Sequence, residues 1–253
     1  MIDIKNVKIS YSYGTEFLIP DLKLEKGKIT AVIGRNGSGK STFLRAVAGI
    51  SHYEGSIRLD GEELKSISPI VRARRVSYLP QTLKSVNIDV ETLAEHGRYP
   101  YHGNVRRMSE EDLRLVKNAL KITGMQEYAS KSLQELSGGE RQRAYLSMVI
   151  AQNASLILLD EPTTFMDLQH QKRFFDIVKD LKTLGHGIVM VCHNIEQSFA
   201  ISDLICLMHE RTMVKTGTPE EMVKEEELLR KVFGIAVKKS DDPELLYPYV
   251  VRK

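Results

Sequence analysis

From its first residues the chain alternates apolar and polar positions. The segment "IDIKNVKISYSY", Ile2 to Tyr13, therefore reads as a half-buried β-strand. "SIRLDGEEL" repeats the pattern around Asp60-Gly61, a hairpin turn pair, so the N-terminal part is expected to form small antiparallel strands. Between them, "KITAVIG" is a short continuous apolar run, the mark of a strand buried on both faces in a parallel sheet. "RRVSYLPQ", "SLILLDEP" and "GIVMVCHN" are similar runs, and helical patterns separate them, giving an α/β alternation.

Residues 82–155 break that alternation, because no convincing strand lies there. "SEEDLRLVKNALKITG" opens on a capping box at Ser109/Asp112 and stops at Gly124, and "ERQRAYLSMVIAQN" is a second helix. The expected plan is one domain over 1–253. Residues 1–81 and 156–237 form an α/β core with an N-terminal antiparallel part, and 82–155 form a helical insertion. "LICLMHERTMVKTG" reads as a hairpin, and "TPEEMVKEEELLRKVFG" as a helix with Thr218 as N-cap and Pro219 at the first helical position. Residues 238–253 receive no assignment.

Composition narrows the class. Apolar residues at 42%, charged residues at 27% and a formal charge of +3 describe an ordinary globular chain and give no sign of a nucleic-acid binder. Two cysteines, Cys192 and Cys206, without a CxxC pair, exclude a disulfide framework and suit a reducing compartment. No apolar run approaches ~18 residues, so no membrane span is expected, and the first residues are a strand pattern rather than a signal peptide.

The chemistry sits at strand ends. "GRNGSGKST", Gly34 to Thr42, matches G-x-x-x-x-G-K-[ST] between a predicted strand and a predicted helix. In that setting the backbone N–H groups of Gly34, Asn36, Gly37, Ser38 and Gly39 wrap phosphate oxygens, Lys40 reaches the outer phosphates, and Ser41 ligates Mg²⁺. "LILLDEP" ends a strand in Asp160, suited to hold Mg²⁺, and Glu161, suited to orient or deprotonate water. His193 and Gln81 also end strand patterns, and Tyr13 could stack on a purine; alone, each is as easily a structural residue. "LSGGERQR", Leu136 to Arg143, offers two glycines ahead of a helix and the Ser137 hydroxyl, with neither lysine nor metal ligand. It could help to hold a terminal phosphate without binding a nucleotide by itself.

Taken together and in order, these motifs resemble the ATP-binding subunits of ABC transporters over nearly the whole chain. The resemblance implies a P-loop NTPase (RecA-like) core, ATP and Mg²⁺. It makes Tyr13 the adenine-stacking aromatic, Gly34–Thr42 the Walker A loop, and Gln81 the Q-loop residue and a Mg²⁺ or water sensor. Ser137, Gly138 and Gly139 become the signature, Asp160 and Glu161 Walker B, Asp167 the D-loop acid, and His193 the switch histidine. Glu140 stands where glutamine is usual, and no contact is carried over for it. "TLAEHGRYPYHG", "DEPTTFMDL" and "HNIEQSF" narrow the resemblance to importers of iron–siderophore, haem and cobalamin; manganese, zinc or molybdate import, export, or a non-transport role are the alternatives.

That family works as two chains facing head to tail, so the expected partners are a second copy, integral membrane permease subunits and, indirectly, a solute-binding protein. The expected place is the cytoplasmic face of the membrane, with no nucleic acid bound. A groove including Arg98 to His102 is expected to receive a permease helix. A chromosome-maintenance ATPase would carry a long coiled coil between the nucleotide motifs, and residues between Gln81 and Leu136 lack sustained heptads. A translation-factor ATPase would carry two cassettes, and a simple P-loop kinase has no need of "LSGGE".

Overall fold

A computed structural model describes residues 1–11, 15–102, 108–164, 166–242, 245 and 247–252. They gather into two compact units: Met1–Ser66 with Gly187–Lys253, and Ile67–His186.

The first unit opens with β1 (Ile2–Tyr11), whose Ile2, Ile4, Val7 and Ile9 are buried while alternate neighbours face outward. Its antiparallel neighbours are β2 (Thr15–Ile19) and β3 (Leu22–Leu24) along one edge, with Val7 opposite Ile19 and Ile2 opposite Leu24. β4 (Ile29–Gly34) is buried along its length, as its unbroken apolar run requires, and α1 (Lys40–Val47) follows the glycine loop. β5 (Glu54–Leu59) takes the other edge of β1, and Asp60-Gly61 turns it into β6 (Glu62–Glu63). Both turn residues have positive φ, 52° and 88°, the geometry that matches the twist of a two-residue hairpin.

The second unit begins with α2 (Pro69–Arg75), capped by Ser68, and continues directly into β7 (Val76–Leu79). Helices α3 (Val90–His96), α4 (Tyr99–His102), α5 (Glu110–Thr123) and α6 (Gly138–Ala151) follow. The cap expected at Ser109/Asp112 and the stop at Gly124, with φ 66°, are both present. Val90, Leu93, Val116, Leu120, Leu133 and Leu136 form a core among these helices. β8 (Leu156–Asp160) then lies parallel to β7, with Val76 opposite Leu156, and α7 (Leu168–Thr183) closes the unit.

The chain re-enters the first unit through β9 (Gly187–Val191), parallel to β4, and α8 (Ile195–Ile201). β10 (Leu204–His209) lies parallel to β4 on its other side and forms the expected hairpin with β11 (Thr212–Gly217). The strand order within this unit is β6-β5-β1-β2-β11-β10-β4-β9, so the parallel core and the antiparallel edge are one surface.

Two details depart from the sequence reading. The helix starting at Thr218 is two helices, α9 (Pro219–Val223) and α10 (Glu226–Phe233). Glu225 leaves helical geometry with ψ 46°, and its carboxylate holds Lys215 at 2.6 Å. The unassigned tail contributes β13 (Tyr249–Arg252), antiparallel to β12 (Ala236–Lys239), and Tyr249 packs into a core with Phe199, Ile205 and Leu229. Cys192 and Cys206 are buried and in no disulfide, and burial pushes the Cys206 thiol up to about 12.

Candidate nucleotide site

In the first unit the loop Gly34–Gly39 joins β4 to α1. Two of its glycines are required by close approach: a Cβ on Gly34 would come 2.4 Å from the Met208 carbonyl oxygen, and one on Gly39, at φ 100°, 2.2 Å from the Phe17 ring. Lys40, 5% exposed, donates from Nζ to the carbonyl oxygens of Gly34 at 3.0 Å and Arg35 at 3.2 Å, so the ammonium lies against the loop. The Ser38 hydroxyl is buried and finds no hydrogen-bond partner among the described residues. An unsatisfied buried hydroxyl beside a lysine and a helix N-terminus fits a phosphate oxygen, which would satisfy it. Arg35, Asn36, Gly37 and Ser38 share a cavity of about 510 Å³ with His209, Glu210 and Arg211, room for a small ligand. His193 follows β9 in this unit and is exposed.

In the second unit β8 delivers two acids to the end of the sheet. Asp160 and Glu161 are 2% and 8% exposed. The Tyr78 hydroxyl donates to Asp160 Oδ2 at 3.1 Å, and Gln81 donates from Nε2 to Glu161 Oε2 at 2.5 Å. The sequence reading chose Gln81 and Glu161 separately, and the fold brings them together; it missed Tyr78. Glu161 has φ 52°, a left-handed conformation costing roughly 1–3 kcal/mol in a residue with a Cβ. Mg²⁺ takes one or two protein carboxylates together with phosphate oxygens, and the Asp160 and Glu161 side chains are oxygen donors of that kind, so this donor set fits it.

Ser137 is the exposed N-cap of α6, with Gly138 and Gly139 as its first helical residues. Glu140, without an account in the sequence reading, completes a capping box: its Oε2 accepts from the Ser137 N–H at 2.8 Å, and its own N–H donates to Ser137 Oγ at 3.3 Å. The backbone bond from Ser137 and the serine hydroxyl hold the Glu140 carboxyl below its usual range against the opposing effect of burial. The signal was present in S-G-G-E, the S-x-x-E pattern of such a cap. Glu140→Gln retains the box and is expected to leave stability nearly unchanged, whereas Glu140→Ala costs about 1 kcal/mol, read from the urea midpoint. Gln81, Thr82 and Leu83 share a cavity of about 360 Å³ with Gly138, Arg141 and Gln142, which sets the loop after β7 beside the first turn of α6.

Asp167 caps α7, accepting from the His170 N–H at 2.8 Å. Tyr13 lies outside the described residues. Arg98, expected in a partner-facing groove, is instead 5% exposed and bound within the unit; Tyr99 beside it is 66% exposed.

A strand, a glycine loop closed by a buried lysine, and a helix, with paired buried acids ending another parallel strand, define a P-loop nucleoside triphosphatase. The chain belongs to the ABC transporter family, whose model matches residues 19–164. It is 39% identical over 245 residues to the petrobactin import ATP-binding protein FpuD of Bacillus anthracis, covering 95% of this chain and 89% of the relative. To the iron(3+)-hydroxamate import ATP-binding protein FhuC of Bacillus subtilis it is 36% identical over 253 residues, covering 98% and 94%. A solved structure given as an inward-facing conformation of a metal-chelate type ABC transporter superposes with a TM-score of 0.83 at 25% identity, covering 100% of this chain and 97% of that one. The chain is thus an ABC ATPase.

Proposed function

We propose that this chain is the ATP-hydrolysing subunit of an importer for an iron–siderophore complex or a related metal chelate. Two copies face head to tail on membrane permease subunits at the cytoplasmic face, fed by a solute-binding protein. The observation that carries the enzymatic reading is the Gln81–Glu161 hydrogen bond beside buried Asp160. The cargo rests on likeness to relatives named for petrobactin and iron(3+)-hydroxamate import. No helix among the described residues is long and apolar enough to cross a membrane, which fits a subunit that reaches cargo only through partners.

Each residue has a part in this proposal. The Gly34–Thr42 loop binds the phosphates, with Lys40 turning from the Gly34 and Arg35 carbonyls toward the outer phosphates. Tyr13 stacks on the base. Ser41, Gln81 and Asp160 hold Mg²⁺, which when bound neutralises charge developing on the phosphates. Gln81 fixes the Glu161 carboxylate, which orients water and takes its proton. His193 contacts the γ-phosphate. Ser137, Gly138 and Gly139 of one copy close over the nucleotide of the other, and Asp167 supports that contact. ADP lacks the γ-phosphate and so lacks the differential contact that favours closure, and hydrolysis reopens the pair. Residues 82–155 act as the inserted helical part that the permease engages.

The test is ATPase activity of the chain reconstituted in liposomes with its permease subunits. Solute-binding protein loaded with a ferric siderophore should stimulate it several-fold. If haem, cobalamin and ferric chelates all fail while manganese or zinc stimulates, the cargo assignment is wrong.

A further inference from the structure

The C-terminus of α6 is tied to its surroundings far more densely than a helix end requires. Arg98 donates from Nη1 to the carbonyl oxygens of Ala151 at 2.8 Å and Gln152 at 3.1 Å, satisfying acceptors that every helix end leaves open. Its Nε donates to Asp112 Oδ1 at 2.8 Å at the start of α5, and its guanidinium lies 3.8 Å over the Tyr101 ring. The Tyr101 hydroxyl is shared between the carbonyl oxygens of Gln152, at 3.0 Å, and Arg74, at 3.3 Å. The Gln152 amide donates to the Ala73 and Val76 carbonyl oxygens, the latter at 3.1 Å, and Arg74 Nε donates to Pro100 at 2.8 Å. Gly97 leaves no slack, since a Cβ there would come 2.2 Å from the Met148 carbonyl oxygen.

The network thus joins the end of α6 to the start of β7. Those two elements lead to the residues with nucleotide roles. α6 runs 14 residues, about 21 Å, back to Ser137, and β7 runs from Val76 to Leu79, two residues short of Gln81. Stability alone is a weak reason for such a node, because a buried ion pair is often no better than apolar packing. What it adds is direction: a fixed angle between one helix and one strand. Asp112 keeps its charge throughout the physiological range; burial works to raise its carboxyl, but bonds from Ser109 and Arg98 outweigh that and lower it to about 2.

We propose that Arg98, Tyr101 and Gln152 act together as a positioning node: Arg98 holds the end of the signature helix, and Tyr101 and the Gln152 amide join that end to the strand leading to Gln81, so that the state of one nucleotide site in the dimer is transmitted to the other. This rests on the head-to-tail reading above, in which Gln81 belongs to a chain's own site and Ser137 to its partner's. Two sites so linked give cooperative hydrolysis with a Hill coefficient of at most about 2.

The experiment is ATP-dependent hydrolysis by the reconstituted transporter carrying Arg98→Lys, which loses the forked contact, or Tyr101→Phe, which keeps the ring and loses the hydroxyl bonds. A thermal melt of each variant provides the folding control. The expected result is a Hill coefficient falling from near 2 toward 1, with ATP affinity of the isolated chain within about twofold of wild type. Tyr101→Phe keeps the test decisive should Arg98→Lys fail to fold. Cooperativity that survives in Tyr101→Phe overturns the role of the node. A wild-type transporter with a Hill coefficient of 1 overturns the coupling and this inference with it, whereas a chain that stays monomeric with ATP overturns the head-to-tail reading on which it rests.

Discussion

Lys40→Ala is expected to lower ATP affinity on the order of 100-fold, measured by calorimetric titration. The ammonium is the buried cation of the phosphate cradle, and charge-assisted bonds to two phosphate oxygens contribute about 3 kcal/mol, a factor of roughly 100 in binding. The substitution also removes the bonds that Nζ makes to Gly34 and Arg35. The loop nevertheless retains its glycine-determined course, with Gly39 pressed against Phe17, so the melting temperature should fall by only a few degrees. An affinity within threefold of wild type would show that the phosphates do not rest on this loop.

Glu161→Gln carries the second large effect. A positioned general base contributes about 10²–10⁴-fold, and the glutamine amide cannot accept a proton from water, so kcat should fall by that factor. ATP affinity should be retained, because Glu161 lies beyond the cradle in sequence and in role. The Gln81 amide now donates to Glu161 Oε2; glutamine at 161 presents an oxygen to the same donor, and the left-handed backbone at φ 52° is unaltered. A fall in kcat without a fall in binding separates water activation from nucleotide capture.

Much of this site was legible because its signals are local. The strand–loop–helix at Gly34–Thr42, the hairpin turn at Asp60-Gly61, and the caps at Ser109 and Thr218 each declare themselves within a few residues. The capping box at Ser137 and Glu140 is equally local, but its S-x-x-E pattern is overlaid on a glycine pair that has a second, phosphate-binding meaning. What could not be read is what distant strands and helices bring together. Tyr78 reaches Asp160 only because β7 and β8 pair in parallel across 82 residues of sequence. Arg98 looks like a surface cation until carbonyls 53 and 54 positions away converge on it. The pairing of β13 with β12 is likewise invisible in a short tail, because it depends on a partner strand and on a core assembled from distant elements.

The central claim is that ATP closes two copies of this chain over each other's nucleotides. The most direct measurement is the mass in solution of Glu161→Gln by light scattering, with Mg²⁺ and ATP and, separately, with Mg²⁺ and ADP. The account predicts a dimer of about twice the 28.7 kDa chain with ATP and a monomer with ADP. A variant that binds ATP yet stays monomeric under all conditions, with and without its membrane partner, would contradict it.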